Sequence, residues 1–203
     1  MPITAVAGVL WFKYGVRVRK IVIVVALESE FSIRSKLSHK VTYTGVGKVN
    51  AARVVTQLIL SDKPDLILNL GTAGTLNPRH LGMALGVREV IERDMNAEPL
   101  APRGEVPLSS EPSSFYSDFG EVKCATGDSF VSSHDQWLID KKVDLVDMEL
   151  FAIAKVADFF GVKWRAIKFA SDLANNDAAF DWKDSIKKAN QEILQKIDIA
   201  IAE

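Results

Sequence analysis

The stretch PDLILNLGTAG, residues 64–74, carries the clearest fold signal in this chain. Its centre, residues 66–70, is apolar apart from one asparagine, with a proline shortly before it and glycines after it. A short apolar run between such residues is typical of a strand that is buried on both faces of a sheet. We predict a strand over 66–70 that breaks into a glycine turn at 71–74.

Predicted strands and helices alternate along the chain around this stretch. A β-branched run predicts a strand over 21–26, and a glycine turn followed by apolar residues predicts a helix over 49–60. The remaining predictions are a short helix in 31–40, strands within 82–94, 121–130 and 163–172, a buried helix after Asp147, an amphipathic helix over 183–203, and loops over 98–115 and 173–182.

This alternation predicts an α/β fold: a single domain with a mixed, largely parallel central sheet flanked by helices. We assign residues 20–203 to that domain and residues 1–19 to an N-terminal extension. The extension contains an apolar stretch of about ten residues, which is too short to span a bilayer. We therefore expect no membrane partner.

The composition narrows the class of protein. The chain has 203 residues, a formal net charge of −1 and no basic run, so we expect no nucleic-acid partner. Its single cysteine, Cys124, excludes an internal disulfide framework, and its three scattered histidines offer no metal-ligand spacing. The sequence predicts a globular protein of a reducing, cytoplasmic setting.

The helix predicted in VDMELFAIAKVADFF, residues 146–160, begins with a carboxylate on its apolar face. From Glu149, steps of three and four residues reach Ala152, Ile153, Val156 and then further apolar positions. Glu149 is therefore predicted to point inward, where a carboxylate is costly unless it is hydrogen-bonded. It either caps its own helix or lies at the floor of a pocket and binds ligand hydroxyls.

Polar residues stand after several of the predicted strands, at the sheet edge where α/β proteins bind ligands. Glu28 or Glu30 either ends a strand as a solvated acid or holds a water molecule as a general base. Asp172 either caps the segment after its strand or, shielded from water, donates a proton to a leaving group. The full set is Glu28, Ser29, Glu30, Gly71, Thr72, Ala73, Gly74, Asp128, Ser129, Phe130, Ser171 and Asp172.

Two glycine-containing stretches differ from nucleotide-binding loops. TGVGKV lacks the first glycine and the final hydroxyl residue of a Walker loop, and GTAGTL is not G-x-G-x-x-G. We interpret both as tight turns. In GTAG, the missing side chains would let a flat base lie against the backbone.

Six motifs taken together are far more specific than any one of them. VALESE, TGVGKVNAA, PDLILNLGTAG, ATGDSFV, VDMELFAIAKVADFFGV and IKFASDLAN occur in this order. The combination resembles the nucleoside phosphorylase/nucleosidase superfamily, and most closely the methylthioadenosine/S-adenosylhomocysteine nucleosidases. The resemblance runs from about residue 20 to the C-terminus and implies hydrolysis of the N-glycosidic bond of an adenine nucleoside, with no metal or organic cofactor.

The resemblance also implies roles for individual residues. Glu30 would activate the attacking water, Asp172 would protonate purine N7, and Ser171 would orient Asp172. In substrate binding, Glu149 would bind the ribose hydroxyls and Met148 would lie under the sugar. Phe130 would stack on adenine, the main chain of Val131 would meet the base, Thr72 would replace the family's usual serine, and Trp182 would lie over the 5′ substituent. The substrate-binding set also includes Leu27, Ala73 and Gly74. The family commonly forms homodimers, so a homodimer is expected.

Two alternatives stay open at this point. A phosphate-dependent phosphorylase of the same superfamily would need a cationic site near the first strand end, where this chain has the anionic ALESE. The other is a non-catalytic nucleoside-binding protein. It is suggested by the shortened chain, because Lys40 is followed directly by Val41 at a point where members of the resembled family usually carry a β-hairpin. The intact Glu30, Glu149 and Asp172 argue against mere binding.

Overall fold

The computed structural model describes residues 19–31, 39–131, 135–175 and 178–202, and it describes their side chains except those of 178–184. These residues form one α/β domain built on an eight-stranded sheet. The strands are β1 (Ile21–Val25), β2 (Lys40–Tyr43), β3 (Leu66–Thr75), β4 (Ala84–Glu92), β5 (Ser114–Tyr116), β6 (Val122–Thr126), β7 (Leu145–Asp147) and β8 (Lys163–Asp172). The helices are α1 (Lys48–Asp62), α2 (Gln136–Asp140), α3 (Leu150–Phe159) and α4 (Ala178–Ile201), with a short 3₁₀ turn at Pro78–His80.

The sheet is mixed, as predicted. β1 runs parallel to β2 and β3, and the pairs β3–β8, β4–β6 and β6–β7 are parallel too. The pairs β3–β7, β4–β5 and β4–β8 are antiparallel. Because β8 pairs with both β3 and β4, the pairings β3–β7–β6–β4–β8 close into a ring, and this part of the sheet curls on itself.

Side chains of alternate strand residues pack on opposite faces of the sheet. From β1, Ile23 packs with α4, whereas Val22 and Val24 pack with α1 and α3. This two-sided burial explains why β1 is a continuous apolar run. α4 contributes Ala189, Ile193, Ile197 and Ala200, the stripe expected from its amphipathic sequence, and α1 contributes Ala51, Val54, Val55, Leu58 and Ile59.

Several boundaries differ from the sequence predictions. The glycine turn predicted at 71–74 is wrong, because β3 continues to Thr75 with an irregular register between Ala73 and Gly74. α1 spans Lys48–Asp62 and is thus longer than the predicted helix over 49–60. The loop predicted over 173–182 is too long, since α4 begins at Ala178.

Two predictions fall on residues outside the description. Most of the short helix predicted in 31–40 lies there, as does nearly all of the extension assigned to 1–19. Within the described part of the chain, the helices are either too short or too polar to cross a membrane.

Candidate active site

Most of the predicted site residues line one cleft of about 310 Å³. It lies where β1, β3 and β8 end and where α3 begins, so the topology gathers residues that are far apart in sequence. The lining is Ala26, Leu27, Glu30, Val46, Thr72, Ala73, Gly74, Arg93, Ser129, Phe130, Val131, Val146, Asp147, Met148, Glu149, Ser171, Asp172 and Ala174.

Glu30 is buried in the cleft wall and held by both of its oxygens. Oε1 accepts hydrogen bonds from the Thr72 hydroxyl at 2.6 Å and from the Thr72 backbone N–H at 3.3 Å. Oε2 accepts one from the Leu27 N–H at 3.2 Å. Glu28, by contrast, is exposed and does not line the cleft. The structure therefore distinguishes the two acids that the strand pattern alone left open, and it places Glu30, the one named by the family resemblance, in the cleft.

Asp172 lies at the end of β8 and is also fixed at both oxygens. The Ser171 hydroxyl donates to Oδ2 at 2.7 Å, and the Ala174 N–H donates to Oδ1 at 2.9 Å. A Cβ atom at Gly74 would lie 2.8 Å from Oδ1 of Asp172. The Asp172 carboxylate occupies the space that a side chain at position 74 would need. This explains the glycine, whereas the sequence had suggested that a glycine is needed there for contact with a base.

Glu149 points inward, as its helical position predicted, and is only 7% exposed. Its Oε1 accepts a hydrogen bond from the Gly47 N–H, 2.9 Å away at the start of α1. The alternative that Glu149 caps its own helix is wrong: its side chain makes no capping hydrogen bond, and Oδ2 of Asp147 accepts from the Leu150 N–H at 2.9 Å instead.

An ion pair between two fully buried side chains lies beneath Glu149. Lys168 Nζ is 2.7 Å from Asp147 Oδ2, and Thr126 also donates to Asp147. Burial would raise the pKa of Asp147, but the Lys168 ammonium and these hydrogen bonds outweigh it and lower that pKa. Burial, and then the nearby Asp147 charge, raise the pKa of Glu149 to about 7.

Lys168 is not among the residues predicted from the sequence, although the sequence carries a signal for it. A lysine in the middle of the apolar strand AIKFA must be paired if that strand is buried. Its partner, Asp147, stands in the VDME stretch that was already singled out. Arg93 is also absent from the predicted residues. It gave no such signal, because it directly follows the end of β4, where a charged residue is ordinary.

The loop after β6 brings some of its predicted residues into the cleft and leaves another outside. Phe130 and Val131 line the cleft, as predicted, whereas Asp128 does not. Asp128 instead accepts a hydrogen bond from the Lys48 N–H at 2.8 Å. Trp182 belongs to α4, and its side chain lies outside the described ones, so its contact with a 5′ substituent stays a prediction.

Comparison with known proteins identifies the family. A family model described as the phosphorylase superfamily matches residues 33–202. The chain belongs to the phosphorylase superfamily. It is 30% identical over 186 residues to a 5′-methylthioadenosine/S-adenosylhomocysteine nucleosidase of Staphylococcus aureus (strain bovine RF122 / ET3-1), an alignment that covers 80% of this chain and 81% of the relative.

Solved structures share the fold of the chain. A nucleosidase from Helicobacter pylori with 5′-methylthioadenosine in the active site matches with a TM-score of 0.79 and 20% identity, over 89% of this chain and 99% of that one. A futalosine hydrolase mutant from the same species matches with a TM-score of 0.79 and 21% identity, over 90% and 100%. The fold class and the family resemblance inferred from the sequence are thereby confirmed.

Proposed function

We propose that this phosphorylase-superfamily protein hydrolyses the N-glycosidic bond of a purine nucleoside and releases the free base, with 5′-methylthioadenosine and S-adenosylhomocysteine as its candidate substrates. One observation carries the proposal: three buried carboxylates, Glu30, Glu149 and Asp172, line a single cleft. The S. aureus relative, which is named for these two substrates, supports the same choice.

Glu149 would bind the ribose. Because Oε1 already accepts from Gly47, its second oxygen would accept hydrogen bonds from the sugar hydroxyls. Met148, which also lines the cleft, would lie against the sugar. As the base departs, positive charge grows on the ribose, as it does in glycoside hydrolysis generally. The negative charges of Glu149 and Glu30 would stabilise that positive charge. Among the described lining residues, only Arg93 carries a positive charge that would oppose this effect.

Glu30 would hold and deprotonate the attacking water. Thr72 and the Leu27 N–H fix its two oxygens, so the carboxylate presents a constant geometry to a water molecule. Thr72 keeps the hydroxyl that the family's usual serine supplies, and in this structure that hydroxyl binds Glu30 directly.

Asp172 would assist the departing base. Adenine leaves poorly as an anion, so a proton delivered to its N7 lowers the barrier. The Ser171 hydroxyl and the Ala174 N–H hold the carboxyl group of Asp172 in one orientation. Phe130 is 59% exposed at the cleft and offers a ring face on which the base would stack.

The electrostatics of the cleft favour water over phosphate as the nucleophile. Among the described residues that line it, Arg93 is the one cation, against four acidic side chains, of which only Asp147 is paired with the nearby Lys168. The guanidinium of Arg93 donates to the carbonyls of Gly127 and Ser129. A phosphate dianion entering next to Glu30 would therefore meet like charge.

The test is to incubate the purified protein with 5′-methylthioadenosine, S-adenosylhomocysteine, adenosine and inosine, each with and without phosphate, and to measure free base by chromatography. We expect base release without phosphate. Release only with phosphate would make the protein a phosphorylase and overturn the role of Glu30. No release from any of them would contradict the proposal.

Variants then test the individual roles. Glu30→Gln and Asp172→Asn should each lower the rate by on the order of 10²–10⁴. Glu28→Gln is the matched control, because Glu28 stands two residues from Glu30 but lies outside the cleft. If both cleft variants kept full activity, the assigned mechanism would be wrong whatever the substrate.

We further propose that the protein is a homodimer. A second, largely apolar groove of about 710 Å³, here named the α1–α3 groove, is lined by Val49, Phe151, Val156, Phe159, Phe160 and other residues. Val49 and Phe159 are each 78% exposed, which is unusual for large apolar side chains that lie together. Val46, three residues before Val49, lines the active cleft, so a second copy in the groove would lie beside the cleft mouth.

Three finer points stay predictions from the sequence: the boundary of the domain at residue 20, the contact of Trp182 with the 5′ substituent, and a cytoplasmic setting.

A further inference from the structure

The loop that carries Phe130 is held by a buried arginine. The terminal Nη2 atom of Arg93 donates to the Gly127 carbonyl at 2.9 Å and to the Ser129 carbonyl, and Nη1 donates to the Ser129 hydroxyl at 3.3 Å. Arg93 is only 6% exposed. A Cβ atom at Gly127 would lie 2.8 Å from Cζ of Arg93, so the guanidinium packs directly against the loop backbone.

The next residue, Asp94, holds the same loop from a second side. Its Oδ2 accepts from the Asp128 N–H at 2.8 Å, while its Oδ1 pairs with Lys48 Nζ at 2.5 Å. Lys48 in turn binds the loop, because its backbone N–H donates to Asp128 Oδ1 at 2.8 Å. The loop is thus bound to the end of β4 through its backbone, with Phe130 exposed at the cleft.

We propose that Arg93 is a positioning residue that fixes the loop 127–131 and thereby sets the affinity of the cleft for the base. The proposal rests on the proposed function, because it assumes that Phe130 and Val131 receive a purine. A guanidinium suits this role, since one arm of its planar fork serves both carbonyls while the other serves the Ser129 hydroxyl. A lysine ammonium in its place would be a point charge that does not reproduce this geometry.

The first measurement is hydrogen exchange in the purified full-length protein, with wild type compared with Arg93→Lys. Peptides that cover 127–131 should exchange about tenfold faster in the variant, because loss of a hydrogen bond to a charged donor costs roughly that factor. Peptides from α4 should be unchanged. Equal exchange of the loop in the two proteins would overturn the proposal.

Arg165→Lys is the matched control. Arg165 is 7% exposed and also donates to two carbonyls, those of Ala200 and Ala202, but it lies away from the cleft. In this variant, exchange should rise at the end of α4 and not in 127–131. If Arg165→Lys loosened the loop as much as Arg93→Lys did, the effect would be general loss of stability and the proposal would fail.

The second measurement separates base binding from chemistry. In Arg93→Lys, KM for the nucleoside and the inhibition constant of free adenine should both rise about tenfold, with kcat changed far less, as for loss of uniform binding. Unchanged adenine inhibition would overturn the proposal. The exchange experiment needs no substrate, so it tests the role of Arg93 even if the wild-type protein releases no base. Absence of base release would contradict the proposed function but not the role of Arg93 in holding the loop.

Discussion

Oε1 of Glu149 accepts a hydrogen bond from the backbone N–H of Gly47 at 2.9 Å, although the two residues are 102 positions apart in the chain. The contact joins the start of α3 to the start of α1 and orients the one carboxylate that the sequence placed on an apolar helix face. It supplies part of the compensation that a buried carboxylate needs, while burial still raises the pKa of Glu149 to about 7.

This raised pKa predicts how stability depends on pH. In the unfolded chain Glu149 should titrate near its ordinary pKa of 4.5, so between about 4.5 and 7 the folded protein holds a proton that the unfolded chain releases. Its contribution to stability therefore falls as pH rises through that window, by ~3 kcal/mol in total. Glu149→Gln removes this dependence.

Urea unfolding of wild type and Glu149→Gln at pH 5 and pH 8 tests the prediction. The variant should gain in stability relative to wild type by roughly that amount at the higher pH. A difference between the two proteins that stays constant with pH would show that Glu149 titrates near its ordinary value.

The buried Asp147–Lys168 pair predicts a strong stability effect. Lys168→Met should destabilise the fold by about 3–5 kcal/mol, because it leaves the Asp147 charge buried without its cation. The double variant Asp147→Asn/Lys168→Met should recover much of that loss, as it removes both charges. Urea denaturation of the single and double variants measures this coupling, and strictly additive losses would contradict it.

The crowding at Gly74 predicts that Gly74→Ala lowers kcat strongly while it changes the stability of the fold little. In Gly74→Ala the new methyl would lie 2.8 Å from Oδ1 of Asp172, so the carboxylate must shift. A misplaced proton donor should lower kcat by about 10²-fold. Gly71→Ala is the comparison variant, because its methyl would meet Lys168 Nζ only at 3.5 Å, an ordinary contact.

Steady-state kinetics of the two alanine variants decide the matter, with thermal unfolding as the check on folding. Equal losses of kcat in both would indicate a general disturbance of β3. A Gly74→Ala enzyme with wild-type kcat would mean that the position of Asp172 does not limit the reaction.

The α1–α3 groove predicts a site for disrupting the dimer. Phe159→Lys places a charge on an exposed side chain in the groove and should shift the protein toward the monomer in sedimentation velocity. Ile199→Lys changes a side chain of similar exposure on α4, on the other side of the sheet, and should leave the association state unchanged. A wild-type monomer, or a dimer insensitive to Phe159→Lys, would refute an interface at the groove.

The sequence by itself determined which segments are buried and which way Glu149 points. Both result from periodicity, since a helix repeats every 3.6 residues and a strand every two, and apolar side chains must leave water. The continuous apolar runs at Ile21–Val25 and in β3 predicted a two-sided core, and the structure confirms it. The order of six motifs was specific enough to give the family.

Only the tertiary structure decided which polar residues meet. Glu28 and Glu30 look alike in sequence, and it is the turn after β1 that exposes one and seats the other against Thr72. Gly74 and Asp172 are far apart in the chain, so no local pattern could show that one makes room for the other. Hydrogen bonds and ion pairs act over a few ångströms, and the fold alone sets which distant residues come that close.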